Sequence, residues 1–244
     1  MNKNTIISVL DKYYLNGIVE SVKWSVDKKN ITVNFISPFK NLVGKVTSPN
    51  FDLENCEIGI YNTSQFSKLI KIMDATIVLN LNKSERGTPL ELTIADNQYD
   101  LNYYLSDLNL IETVPVINEP DIYDAEVHVT KEFISKFINA KKALGDIKQF
   151  SIKAEYTEGE GMECVIVLGD GAGYANKIKF KTPCEALFGL SELPFPADIM
   201  TEVLKANEDA SEALIQISNE GLMKLIFKEE EVESIYYLVR LSDN

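Results

Sequence analysis

One histidine, three cysteines and 37 aspartates and glutamates are the groups in this 244-residue chain that could move protons, attack an electrophile or hold a metal. His128 stands alone in the alternating stretch 126–130, so no multi-histidine metal site can be built, and no spacing pairs it with Cys164 or Cys184. A structural histidine is the better reading. Cys56, Cys164 and Cys184 are odd in number, widely spaced and without a C-x-x-C. That pattern suits reduced, mostly buried thiols rather than a disulfide framework or a zinc site. Gly169-Asp170-Gly171-Ala172-Gly173 is rich in glycine but lies between two strand-like runs. A phosphate-cradling loop needs a helix next and a Walker lysine, and neither follows, so a hairpin connection fits better. The carboxylates form no pattern that singles out a general acid and base. The sequence therefore predicts no enzyme, no cofactor and no metal.

What remains is charge. The formal net charge of −13 taken alone argues against a nucleic-acid binder, because phosphate contacts need lysine and arginine. Net sign says little about a local patch, so the position of the positive charges matters more than their total. With 45% hydrophobic and 25% charged residues, the composition is that of a globular protein with one large core or two modest ones. The apolar stretches are too short and too broken by charge to span a membrane, and the first residues lack the apolar run of a signal peptide. The expected location is cytoplasmic.

Four helical segments must position that charge. Residues 5–15 bring Ile6, Ile7, Val9, Leu10, Tyr13 and Tyr14 to one side, and Asn16-Gly17 ends the helix. Asn62-Thr63-Ser64-Gln65 reads as a capping box, followed by the stripe Phe66, Leu69, Ile70 and Met73. Thr130 caps a third helix with Phe133, Ile134, Phe137 and Ile138 inward, ending at Gly145, and a fourth runs over about 196–207. Strand-like runs occupy 19–26, 31–36, 42–47, 57–61, 76–81, 90–95 and 99–105, then 125–129, 150–156, 162–168, 177–181 and parts of 213–241. The stretch 107–123 has no period and contains Pro115 and Pro120, as a linker would. The element order repeats, which predicts an α+β protein of two similar domains, 1–110 and 124–244, joined by a connector over 111–123. Each domain is expected to have antiparallel sheets with two helices on one face.

Opposite the apolar stripes fall Lys12 on the first helix, Lys68 and Lys71 on the second, and Lys131, Lys136 and Lys142 on the third. Segments 2–15, 62–74 and 130–144 hold eight lysines against Asp11, Asp74 and Glu132, a balance of +5 in a chain of −13. The fourth helix differs: Asp198, Glu202, Glu208 and Asp209 outweigh Lys205.

On these residues the chain resembles the DNA sliding clamps, nearest to tailed-phage polymerase processivity factors and more distantly to proliferating cell nuclear antigen. Residues 51–73, from Phe51-Asp52-Leu53 through Tyr61-Asn62 to Ile72-Met73, look like the clamp strand that leads into a second helix. Leu92-Thr93-Ile94-Ala95-Asp96 looks like the strand and turn that follow, and Val127-His128-Val129-Thr130 like the restart of the second domain. Gly221-Leu222-Met223-Lys224-Leu225-Ile226-Phe227 with Tyr236-Tyr237-Leu238-Val239 is similar to the last hairpin.

The resemblance implies a homotrimer, a ring of six domains with helices lining the hole and sheets outside. Such a ring encircles duplex DNA without sequence preference and tethers the replicative DNA polymerase after a clamp loader has placed it. It makes Lys12, Lys68, Lys71, Lys131, Lys136 and Lys142 the lining candidates. It also implies a pocket for short partner peptides beside the connector, with Val114 and Val116 on the connector and Phe39, Leu42 and Tyr237 as neighbouring candidates. A phage-encoded clamp would work in the host cytoplasm. Two competing expectations are a structural oligomerisation protein of a phage assembly, which needs neither inward lysines nor a peptide pocket, and a hydrolase or transferase using the carboxylates or Cys164.

Overall fold

The first helix, α1 (Lys3–Tyr14), begins where the Asn2 side chain accepts the Asn4 amide at 2.9 Å and ends where Leu15 and Asn16 turn left-handed at φ 47° and 54°. Four antiparallel strands follow: β1 (Val22–Asp27), β2 (Asn30–Ile36), β3 (Leu42–Ser48) and β4 (Cys56–Ile60), in the order β3–β2–β1–β4. On β1 and β2 a period-two alternation buries Val22, Trp24 and Val26, and Ile31, Val33 and Phe35. Phe35 pairs with Gly44, and its ring lies 2.2 Å from where a Gly44 Cβ would sit, so only glycine fits there. Asn62 accepts the Gln65 amide at 2.8 Å and opens α2 (Thr63–Lys71). A second sheet, β5 (Val78–Lys83), β6 (Pro89–Ala95) and β7 (Asp100–Tyr104), completes this half. Trp24 is the centre of its core, edge-on to Phe51 at 5.6 Å and Phe66 at 5.5 Å.

The second half repeats the plan. After β8 (Ala125–His128), the Thr130 hydroxyl accepts the Phe133 amide at 3.1 Å and starts α3 (Lys131–Leu144), which stops at Gly145 with φ 72°. Then come β9 (Gln149–Thr157), β10 (Gly161–Leu168), β11 (Ile178–Pro183), β12 (Glu185–Ala186), β13 (Leu193–Pro196), α4 (Ala197–Ala206), β14 (Glu212–Ile217), β15 (Leu222–Glu229) and β16 (Val232–Val239). One sheet orders β11–β10–β9–β13, the other β12–β8–β14–β15–β16. Phe137 is fully buried, stacked near Phe133 and edge-on to Phe150 at 5.0 Å.

This computed structural model describes residues 1–159, 161–169, 176–186 and 189–241. The chain divides into two units, Met1–Pro115 with Glu231–Ser234 and Val116–Glu230 with Ile235–Asn244. Each has the expected α+β plan of two helices on antiparallel sheets. The division between Pro115 and Val116 splits the 111–123 segment, and 231–234 groups with the first unit rather than the second. Two strands had no expectation, β12 and β13. The β13 segment Leu193-Pro194-Phe195-Pro196 reads against a strand because proline cannot donate to a ladder, but β13 is an edge strand, where this is tolerated. Of the glycine-rich run, residues 170–173 lie outside the described residues.

Candidate functional site

α2 and α3 each turn a lysine-bearing face to solvent. On α2, burial takes Phe66, Ser67 and Ile70, leaving Lys68 and Lys71 exposed. Lys68 has no ion-pair partner among the described residues; Lys71 lies 3.7 Å from Asp11 of α1. On α3, burial takes Phe133, Ile134, Phe137 and Ala140, leaving Lys131, Lys136 and Lys142 exposed. Lys131 and Lys142 make no ion pair among the described residues. Lys136 meets Glu132 one turn back at 2.7 Å, and that bond holds the Glu132 carboxyl below its ordinary range. Exposed pairs of this kind are weak and yield readily to a phosphate.

Lys12 corrects the sequence reading. It is 2% exposed and is not without a partner inside the fold, so it cannot be a free surface charge. The reason is that α1 is covered on two sides, by α2 and by β3, so positions flanking its main apolar stripe are also buried. The other lysine of α1, Lys3, is also occupied: its ammonium donates to the Met73 carbonyl and to that of Lys71 at 3.4 Å, capping the end of α2. No exposed, unpaired lysine remains on α1.

α4 is nearly enclosed, with Asp198 and Lys205 its only exposed residues. Its acids are answered locally. Lys141 at 3.0 Å and Lys148 at 3.3 Å face Asp198, and Lys205 faces Glu202 at 2.8 Å. Burial pushes the Asp198 pKa up, but the two lysines outweigh it and hold the carboxyl below its usual range. The acidity of α4 is therefore largely neutralised in place. The lysines on the outer face of the β9–β10–β11 sheet are likewise engaged: Lys153 and Lys181 pair with Glu155 at 3.0 and 3.6 Å, and Lys181 with Glu163 at 2.6 Å. The uncommitted positive charge of the four helices is concentrated on α2 in one unit and α3 in the other.

The peptide-pocket candidates separate. Leu42 is fully buried, because the alternation of β3 puts it in the core with Val46; it is not available to a peptide as a surface residue. Phe39 is 88% exposed on a turn braced by the Ser37 hydroxyl donating to Asn41 at 2.8 Å. Val116 is 91% exposed and Val114 half-buried. Tyr237 is half-buried and donates its hydroxyl to Glu119 at 2.6 Å. Lys224 donates to the other Glu119 oxygen at 2.6 Å and Tyr123 at 3.1 Å. Burial raises the Glu119 pKa, but these three donors outweigh it and hold the carboxylate charged below its ordinary range. Sequence reasoning missed this clasp: Tyr123 is four residues from Glu119, but Lys224 on β15 and Tyr237 on β16 are more than a hundred residues away and reach it only through the folding of the chain.

A groove of about 520 Å³ lies between α3 and the edge strand β11, walled by Ala140, Ile178 and Phe180 and rimmed by Glu132, Lys136 and Asn139. Among the described residues no group of three or more His, Cys, Asp or Glu side chains could hold a metal ion. Nor is any described helix long and apolar enough to cross a membrane.

No protein-family model matches the sequence, and no curated protein matches it in sequence. Solved structures do match the fold. Proliferating cellular nuclear antigen from Entamoeba histolytica superposes with a TM-score of 0.72 at 17% identity, over 98% of this chain and 94% of that one. A. fulgidus PCNA, in a structure with the C-terminal region of FEN-1 bound, gives 0.77 at 16% identity, over 100% and 98%. The PCNA2–PCNA3 complex from Sulfolobus tokodaii gives 0.71 at 11% identity, again over 100% and 98%. Residue identity this low carries the fold and no residue roles, and the coverage extends it to the whole chain: this protein has the two-domain fold of the PCNA-type DNA sliding clamps.

Proposed function

We propose that three copies of this chain close into a ring around duplex DNA and act, without catalysis, as a processivity factor that tethers a DNA polymerase after loading by a clamp loader. The observation that carries the reading is the placement of uncommitted lysines on one helix of each unit, within a chain of net charge −13. In the ring, Lys68, Lys71, Lys131, Lys136 and Lys142 face the hole and meet phosphates as long, flexible point charges that read no base edge. The acidic remainder keeps DNA off the outer wall.

Closure needs a head-to-tail interface, hence two different surfaces per chain. The edge strands β7 and β11, one in each unit, supply them: β7 carries Tyr104 at 77% exposure, and β11 borders the apolar groove under α3. Partner proteins would dock short apolar segments here, much as A. fulgidus PCNA is seen with the C-terminal region of FEN-1 bound. Phe39, Val114, Val116 and Tyr237 are the contacts proposed for them. The site of action is the compartment that holds the DNA, the cytoplasm if the source is a bacterial host.

Light scattering over a concentration series tests the assembly, and a species near three times the 27.5 kDa chain mass is expected. Retention on DNA tests topology. A ring loaded on closed circles stays after a salt wash and runs off once the circle is cut. A persistent monomer, or equal retention on cut and closed DNA, overturns the reading in favour of an assembly protein with no encircling role.

A further inference from the structure

Two of the three cysteines, 20 residues apart in sequence, meet in the second unit. The β10–β11 register pairs Cys164 with Thr182 and Glu163 with Pro183, and the Cys184 amide, next in line, donates to the Met162 carbonyl at 3.1 Å. Cys164 and Cys184 are thus diagonal neighbours across one strand pair, with both side chains on the same face of the sheet. Cys164 is fully buried while Cys184 is half-buried, so an oxidant reaches the second first. Diagonal positions in a sheet stand about 7–8 Å apart, slightly beyond the span of an unstrained disulfide, so one of the two must shift. Cys184 is placed to do so. It falls between the end of β11 at Pro183 and the start of β12 at Glu185, which pairs with β8 in the other sheet.

We infer that Cys164 and Cys184 form a peroxide-sensitive modification site, which closes to an intramolecular disulfide and staples β10 to the corner between β11 and β12. Hydrogen peroxide is the oxidant. The Cys184 thiolate attacks one peroxide oxygen, the O–O bond breaks, and the released hydroxide takes a proton to leave as water, giving a sulfenic acid. The Cys164 sulfur then attacks the Cys184 sulfur and the S–O bond breaks. The Cys164 proton leaves with the hydroxide as a second water, so two thiols lose two electrons and one peroxide gains them. The surroundings favour this order. The neighbouring Cys164 thiol holds the Cys184 pKa below an ordinary thiol's, and the Cys184 thiol with burial pushes Cys164 up, so it keeps its proton until attack. Cys56, on β4 of the first unit, is an internal control: burial, with Glu54 beside it, pushes its thiol up to about 11.

The staple lies on the face of β10 and β11 that packs α3, where Phe180 of β11 meets Phe133 at 5.7 Å. It therefore stiffens the strand under the groove. The site does not depend on the clamp reading and stands or falls by itself.

The test treats the full-length protein with a small excess of hydrogen peroxide, alkylates free thiols, and maps peptides without reduction. The expected result is a loss of 2 Da and a linked peptide pair containing Cys164 and Cys184, with Cys56 still alkylated. Dithiothreitol should restore all three thiols. Tm should rise on oxidation and fall back on reduction in the wild type and in Cys56→Ser, with no rise in Cys184→Ser. Separate sulfinic acids on the two cysteines, links only between molecules, or a rate at Cys184 no faster than at Cys56 would each overturn the site.

Discussion

The two helix pairs share one plan and divide their charge oppositely. In the first unit the leading helix, α1, is covered on two sides, and its lysines are buried or spent as a cap; the following helix, α2, shows Lys68 and Lys71. In the second unit the leading helix, α3, shows Lys131, Lys136 and Lys142, while α4 is enclosed and its acids are neutralised by neighbouring lysines. A lysine's position on a helix wheel therefore does not settle its role. What settles it is how many neighbours cover that helix and whether an acid is within reach.

Charge reversal on α2 and α3 should have the largest effect. Lys68→Glu, Lys131→Glu and Lys142→Glu together should lower affinity for duplex DNA by about a thousandfold and flatten the salt dependence by about 0.9 in log–log slope per lost phosphate contact. Lys205→Glu on α4 should leave both unchanged in the same titration. An equal loss from the α4 variant would erase the distinction.

Next come the cores beneath the helices. Trp24→Ala in the first unit and Phe137→Ala in the second should each cost about 3–5 kcal/mol in urea unfolding, because both side chains are fully buried among aromatic rings. A marked inequality would show that one unit relaxes around a cavity better than the other.

Lys12 and Lys68 then separate a buried lysine from an exposed one. Lys12→Glu should destabilise by about 3 kcal/mol or more, by placing the opposite charge in an enclosed site. Lys68→Glu should stay within about 0.5 kcal/mol while altering DNA binding. If the two variants unfold alike, the burial of α1 is wrong.

Glu119→Gln should cost about 1 kcal/mol at neutral pH, at the low end for a charge-assisted cluster because solvent screens it. Its folded pKa is depressed, so the contribution is complete above the unfolded value near 4.5 and is lost as pH falls through the lower folded value. The wild-type advantage over Glu119→Gln should therefore shrink on acidification, as chemical denaturation at several pH values would show. Lys71→Ala, removing an exposed pair with Asp11, should change stability by about 0.5 kcal/mol or less.

Much of the fold was legible because it rests on local rules. The caps at Asn62 and Thr130 act within three residues, and β1, β2 and β3 bury alternate residues because successive side chains point to opposite faces. β13 was not legible, since its two prolines contradict strand propensity and only its edge position permits them. Of the proposed lining residues, Lys68, Lys71, Lys131, Lys136 and Lys142 are exposed as their periodicity implied. Lys12 is not, because helix periodicity gives one buried stripe and says nothing about a second neighbour. Leu42 failed as a surface candidate for the converse reason: its alternating strand already assigned it to the core.

By itself the sequence determined the α+β class, the repeated element order, the cap residues and the concentration of lysine on helical segments, because each depends on neighbours a few positions away. Which lysines are free, the meeting of Glu119 with Lys224 and Tyr237, and that of Cys164 with Cys184 came from tertiary packing alone. Those outcomes depend on strand register and on which surfaces cover each other, and contacts across such distances leave no periodic trace in a single chain.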